Sequence, residues 1–310
     1  MSLHSVIPAG ACETGRHLND FIEISDAKFE KTIQDLIKLD AEFISLKTLN
    51  TYLDTDRISE KLVVHISFDD GYLDNFTIAY PILNKYNIPF SVFIASELID
   101  KEKPFLWWYM IEGIINYKLP VRFDKYDFFI TAGEYETNSG EHIFAKFRAF
   151  IIEYLDKDKN YFEEKISGYL LQMPGFPLPK MMRWNDINSM LASGLCELGV
   201  HTVSHARFKN INNEERVNEI LQCRERIELN TQVLSKYFAF PYGSKDDIGD
   251  TTGLKEVLAL CGMELSFTTI SGELNKDTDK LFIPRIFLNN TTSIYTLKSR
   301  LNGYYQRRID

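Results

Sequence analysis

Apolar positions along this chain fall into two patterns, short unbroken runs and stripes at three- and four-residue spacing. The run at 62–68 is β-branched and apolar without Gly or Pro, which predicts a buried strand of a parallel sheet. After Gly71, residues Phe76, Ala79, Tyr80, Leu83 and Tyr86 share one helical face, with Asp74 or Asn75 as cap. Asn87-Ile88-Pro89 breaks that helix, and 90–95 reads as the next strand. Strand, helix, strand is the signature of a parallel sheet.

Upstream, 1–25 looks irregular, a helix capped by Ser25 or Asp26 follows, and 43–46 is a short strand before a helical turn at 47–53. Downstream, helices at 184–192, 213–236, 253–261 and 294–301 alternate with strands at 196–200, 237–240, 265–268 and 282–286. Residues 100–182 interrupt the rhythm with clustered aromatics and helical stripes near 144–155 and 161–171, and Met-Pro-Gly-Phe-Pro-Leu-Pro (173–179) marks the return. The expectation is one α/β domain over 1–310 with a mostly helical insertion at 100–182.

Composition narrows the class. The 310 residues are 45% apolar and 25% charged, as in a soluble globular protein. A net charge of −9 with no basic block argues against nucleic acid as a partner. No window predicts a membrane span, and the first residues lack the basic and apolar regions of a signal peptide. Cys12, Cys196, Cys223 and Cys261 form no CxxC pair and read as reduced, mostly buried thiols of a cytoplasmic protein.

Two stretches carry candidate chemistry. The run at 62–68 leads into Asp69-Asp70-Gly71, and the carboxyl end of a strand is where α/β folds place their sites. Two neighbouring carboxylates repel unless one meets a cation, which leaves the other as a base. Asp-Asp-Gly is also an ordinary polar turn. The second stretch is His201-Thr-Val-Ser-His205 after the strand at 196–200. Histidines four apart meet on one face of a helical turn, although an isolated pair of this kind is usually a surface or cap feature. With Asp70 they make two imidazoles and one carboxylate, the donor set of a catalytic metal with an open position. Asp69, unliganded, would take the proton of the water. The same donor set also occurs in non-haem iron oxygenases, where a neighbouring base has no task.

Ser-Phe-Asp-Asp-Gly-Tyr, His-Thr-Val-Ser-His and Phe240-Pro241-Tyr242-Gly243 together resemble the polysaccharide deacetylases of the fourth carbohydrate esterase family, the NodB homology domain. The resemblance implies a distorted (β/α) barrel and hydrolysis of an N-acetyl group on a sugar with a divalent metal, usually zinc. By position it makes Asp69 the base, Asp70, His201 and His205 the ligands, and the Tyr242 N–H an oxyanion donor. Three features depart from the pattern. Ala239 stands where an arginine orients the aspartate, with Arg285 as a candidate substitute; 288–290 (Leu-Asn-Asn) lacks the late histidine; and no Asp–Trp pair follows Trp184. His17 is the replacement acid offered by the sequence, while His65, inside a strand, reads as a core histidine.

Trp107, Trp108 and Tyr109 either stack on a sugar or cover the core. Tyr72 and Pro241 are expected to line the pocket. Glu214, Glu215, Glu219, Glu225 and Glu228 read as a solvated helix face. The expected activity is deacylation of an acylamino sugar during synthesis of a cell-surface polysaccharide or glycoconjugate. The alternative is a catalytically impaired carbohydrate-binding protein on the same scaffold.

Overall fold

The computed structural model describes residues 1–10, 18–55, 61–272, 274 and 277–292. Six strands form one parallel sheet: β1 (Ser2–Leu3), β2 (Ile66–Asp70), β3 (Phe90–Ile94), β4 (Cys196–Val200), β5 (Tyr237–Ala239) and β6 (Leu265–Phe267). Their spatial order follows the chain, so each crossover carries the sheet one strand onward. Past β6, isolated parallel bridges join Ile283 to Phe267 and Phe287 to Ser2. Hydrogen bonds from Ser2 N to Ile286 O (3.0 Å) and from Leu288 N to Ser2 O (2.9 Å) complete the closure. The sheet therefore curls into the distorted barrel expected from the sequence.

Helices cover the outside. α1 (Asp26–Lys38) starts where the Ser25 side chain accepts from Lys28 N and buries Phe29, Ile33 and Leu36. A π-helical turn at Asn75–Ala79 leads into α2 (Tyr80–Lys85). The 100–182 segment supplies α3 (Trp107–Asn116), α4 (Gly140–Tyr154) and α5 (Lys159–Ser167). It also holds an antiparallel pair, Val121–Phe123 with Phe128–Ile130. After it come α6 (Trp184–Leu191), α7 (Asn213–Thr231) and α8 (Leu254–Leu260). One large apolar cluster runs from the barrel's outer face into α3, α4 and α5. A smaller one, with Phe93, Ala239, Leu265, Phe267 and Ile283, fills the inside of the curled sheet and meets Leu46 and Leu49. There the chain is packed tightly enough that a Cβ on Gly199 would sit 2.1 Å from the Phe93 ring.

Several expectations change. The run at 62–68 is not one strand: Val63–Val64 pairs with Glu42–Phe43, and β2 begins only at Ile66. His65 stands at the crossing, bonded to Ile44 O (2.7 Å) and Ser91 Oγ (2.9 Å). The supposedly irregular N-terminus supplies β1 and a further strand, Ser5–Ile7, paired with Glu23–Ser25. Strands of two or three residues are too short to show a period. The segment at 282–286 contributes a single bridge, at Ile283, rather than a strand. Helix 294–301 and residues His17 and Cys12 lie outside the described residues.

Candidate metal and catalytic site

β2 delivers both carboxylates to the carboxyl-end mouth of the barrel, and both are 1% exposed. Asp70 takes a left-handed backbone (φ 73°) and Gly71 follows at φ 93°. A Cβ on Gly71 would fall 2.8 Å from Ile99 Cδ1, so the glycine lets the chain turn away from the mouth directly after the two acids.

β4 ends at Val200, and His201 follows with its N–H on Ile94 O (2.9 Å). Its Nδ1 lies 2.8 Å from Ala239 O. A carbonyl only accepts, so Nδ1 carries the hydrogen and Nε2 presents a lone pair inward. His205 does not lie on a helical turn with His201, as the four-residue spacing suggested. The loop between them passes through left-handed Thr202 (φ 68°) and His205 (φ 58°), which swings the second imidazole back over the first. Glu219 of α7 holds that loop: its carboxylate accepts from Val203 N, Ser204 N and Ser204 Oγ, each at 2.8 Å. A glutamate taken for part of a solvated face thus pins the loop that carries His205. Its position within an acidic run hid it.

Both imidazoles converge on Asp70. Its Oδ1 lies 3.3 Å from His201 Nε2 and 3.2 Å from His205 Nε2, and the three donor atoms lie within 4.8 Å of one another. Asp70 Oδ1 and His201 Nε2 are buried and make no hydrogen bond among the described residues. Two buried lone pairs facing each other are costly unless a cation lies between them, so the donors fit a divalent metal. Burial alone would raise the Asp70 pKa, yet His205 and His201 outweigh it and hold the carboxyl well below its ordinary value.

Asp69 points the other way. Arg285 grips it with Nη1 on Oδ1 (2.8 Å) and Nη2 on Oδ2 (2.7 Å). The guanidinium is held in turn by Thr268 O (3.0 Å) and lies 5.7 and 5.9 Å from the Phe93 and Phe267 ring centroids. Burial pushes the Asp69 pKa up, but the Arg285 charge and hydrogen bonds pull it below the ordinary carboxylate value. A bidentate fork of this kind fixes a carboxylate's orientation. Arg285 therefore reaches Asp69 from the closing segment of the barrel.

The Phe240–Gly243 turn follows β5. Tyr242 is left-handed (φ 58°), its carbonyl accepts from Thr269 Oγ1 (2.6 Å), and its N–H donates to nothing among the described residues. Its ring lies 4.8 Å from that of His205 and 4.0 Å from the Arg207 guanidinium. Burial pushes its hydroxyl up to about 12. Of nine non-glycine residues with positive φ among those described, Asp70, Thr202, His205 and Tyr242 surround this one centre. Such conformations cost on the order of 1 kcal/mol or more and gather where geometry matters more than stability.

Trp107 and Trp108 come from the start of α3 and are 3% and 7% exposed. Their indole N–H groups donate to Tyr242 Oη (3.2 Å) and Tyr72 Oη (3.0 Å). Tyr72 is fully buried behind Trp108, so it backs the wall rather than lining an open surface. Pro241 is likewise buried. The recess beside His205, bounded by Trp107, Trp108, Lys159 and Tyr242, holds about 40 Å³, room for a few waters. A larger cavity of about 860 Å³ lies behind Tyr109 and touches none of Asp69, Asp70, His201 or His205. Asp74 stands at the N-cap position of the π-helical turn but its side chain does not cap it; the carboxylate accepts from Ser5 Oγ (2.5 Å) and Val6 N (3.0 Å) instead.

A family model described as polysaccharide deacetylase matches residues 56–264. The chain belongs to the polysaccharide deacetylase family. Among curated proteins it is 30% identical over 78 residues to the putative polysaccharide deacetylase YxkH of Bacillus subtilis (strain 168), a match that spans 25% of this chain and only 28% of the relative. Among solved structures it resembles the Streptococcus pyogenes deacetylase PplD in complex with acetate, with 15% identity, a TM-score of 0.62, and 97% and 96% of the two chains covered. IcaB from Ammonifex degensii aligns at 19% identity and a TM-score of 0.60, over 96% of this chain and 94% of IcaB. A de-N-acetylase from Aggregatibacter actinomycetemcomitans aligns at 16% identity and a TM-score of 0.60, covering 96% of this chain and 97% of its own. At these identities the structures establish the deacetylase fold.

Proposed function

We propose that this polysaccharide deacetylase removes an N-acetyl group from an acylamino sugar, and that it needs a divalent metal to do so. The observation that carries this reading is the pair of buried, unpartnered lone pairs on Asp70 Oδ1 and His201 Nε2, with His205 Nε2 beside them. Asp70, His201 and His205 would hold the cation, and two nitrogens with one oxygen suit zinc. Such an ion supplies Lewis-acid polarisation of the acyl carbonyl and acidifies water.

The chain's own residues do the rest. Asp69, ionised and oriented by Arg285, accepts a proton from the attacking water. The Tyr242 N–H, without a partner among the described residues, would donate to the oxygen that gains negative charge, a contribution of about 3–4 kcal/mol in well-aimed cases. Trp107 and Trp108 build the rim that a sugar meets, and Tyr72 and Pro241 support it from behind. The buried free thiols of Cys196, Cys223 and Cys261 fit a reducing, cytoplasmic setting. No helix among the described residues is long and apolar enough to cross a membrane. A built base–arginine pair beside an intact ligand set supports turnover over a role limited to sugar binding.

The test is acetate release from a panel of N-acetylated amino sugars and their oligomers. Asp69→Asn keeps the shape of the site but removes the base, and release should fall by about 10²–10⁴-fold. Equal release by Asp69→Asn and wild type would end the assignment of Asp69.

A further inference from the structure

The turn that carries Tyr242 cannot hold itself. A left-handed backbone at a residue other than glycine persists only where its surroundings over-determine it. On the backbone side, Thr269 Oγ1 donates to Tyr242 O (2.6 Å) and Thr269 N to Gly243 O (3.0 Å). On the side-chain side, three groups pack the ring: the Trp107 indole N–H on its hydroxyl, the His205 imidazole, and the Arg207 guanidinium at 4.0 Å. Trp107 also builds the rim and His205 faces Asp70, whereas Arg207 has no task in the reaction described above.

Arg207 stands two residues after His205 and is 2% exposed. Its Nη1 donates to Ile152 O of α4 and lies 3.7 Å from Asp156 Oδ2. Asp247 Oδ1, from the segment after the Tyr242 turn, lies 3.1 Å from Nε. Those two carboxylates balance the charge. Nη2 is buried and hydrogen-bonds to nothing among the described residues. The guanidinium thus forgoes a hydrogen bond and sits over the Tyr242 ring, a contact that strengthens when the cation is desolvated. Phe208, next along the chain, packs on Phe238 of β5 and on Phe240, with ring centroids 5.4 and 5.3 Å apart. The loop therefore lies against β5 and the turn that follows it, which brings the guanidinium onto the ring.

We propose that Arg207 is a positioning residue of the deacetylation: by clamping the Tyr242 ring it fixes the direction of the Tyr242 N–H. The inference rests on the deacetylase reading above and on the oxyanion role given there to that N–H. N, Cα and Cβ of one residue are rigidly joined, so a ring that cannot move restrains the N–H beside it. Arg207 acts through Tyr242 and exchanges no proton. Its contacts with Ile152 and Asp156 also make the 100–182 insertion a support for that donor.

The experiment measures kcat, KM and zinc content for acetate release from N-acetylglucosamine oligomers by the full chain. Arg207→Lys keeps a charge beside Asp156 and Asp247 but loses the flat guanidinium. It should lower kcat by about 10–10²-fold with KM and zinc content near wild type, because a donor used only in the transition state has been misaimed. Tyr242→Ala tests the clamp without touching Arg207: it keeps the N–H, removes the ring, and should lower kcat by a similar factor. Adding Arg207→Lys to Tyr242→Ala should then cost no further activity, whereas a merely structural arginine would cost the same with or without the ring. Equal losses in the two backgrounds, or wild-type kcat in either single variant, overturn the proposal. Zinc lost from Arg207→Lys overturns it too, since the effect would then lie at His205. A wild type that releases acetate from no N-acetylated sugar overturns the deacetylase reading, and this inference falls with it.

Discussion

Arg285 and Asp69 are a buried ion pair, 4% and 1% exposed, in which two guanidinium nitrogens grip the carboxylate while Thr268 O and Ser67 Oγ hold the guanidinium in place. Removing one partner of such a pair leaves an uncompensated charge, at a cost of about 3–5 kcal/mol. Arg285→Met should therefore lower unfolding stability by that amount in urea, and adding Asp69→Asn should restore part of it. If Arg285→Met were neutral, the pair would not be the coupled unit the distances indicate. His65 gives a pH signature of its own. Burial lowers its pKa from 6.5 to about 3, so between those values the unfolded chain binds a proton that the folded chain does not. Stability is full above pH 6.5 and is lost as pH falls toward 3, by up to about 5 kcal/mol from this residue. His65→Gln should flatten that slope in pH-dependent thermal melts; an unchanged slope would assign the acid sensitivity elsewhere.

At the scale of elements, the loop from His201 to His205 depends on α7. Three donors on the Glu219 carboxylate hold a stretch with two left-handed residues, and groups that orient a metal's ligands are worth about 10–100-fold in affinity. Glu219→Gln keeps the size but weakens the acceptors. It should reduce zinc affinity by that factor in competition titrations while the melting temperature moves little; unaltered affinity would make Glu219 a surface carboxylate after all.

The same loop shows what the sequence could carry. Asp69, Asp70, His201 and His205 were legible because their types and strand-end positions are local. The loop's shape was not, since positive φ at Thr202 and His205 leaves no mark in a four-residue spacing that equally suits a helix. Arg285 was visible only as a candidate, because its contact with Asp69 spans 216 positions. Glu219 was hidden by context, within an acidic run. The strand–helix rhythm identified β3 and β4, whose residues are buried apart from the half-buried Glu197. It failed at β1 and at the 62–68 run, where the chain changes sheets at His65.

Across the whole molecule, α3 links the insertion to the barrel. All but the last of its ten residues are buried, and its two tryptophans close over Tyr242 and Tyr72. A single apolar cluster includes α3, α4 and α5 together with β2, β3 and the helices around them. We propose on this basis that 1–310 is one catalytic domain and that 100–182 is part of its site. The closing segment 283–288 has a matching role on the other side, completing the barrel and delivering Arg285. The acids, the imidazoles and the arginine thus come from β2, the β4 end and the chain that seals the ring.

The most direct measurement is zinc stoichiometry, with acetate release assayed on the same samples, for wild type, Asp69→Asn and Asp70→Asn after dialysis against trace zinc. One ion per chain and turnover are expected for wild type, one ion without turnover for Asp69→Asn, and neither for Asp70→Asn. Full turnover without bound metal, or an undiminished ion in Asp70→Asn, would contradict the metal-dependent reading.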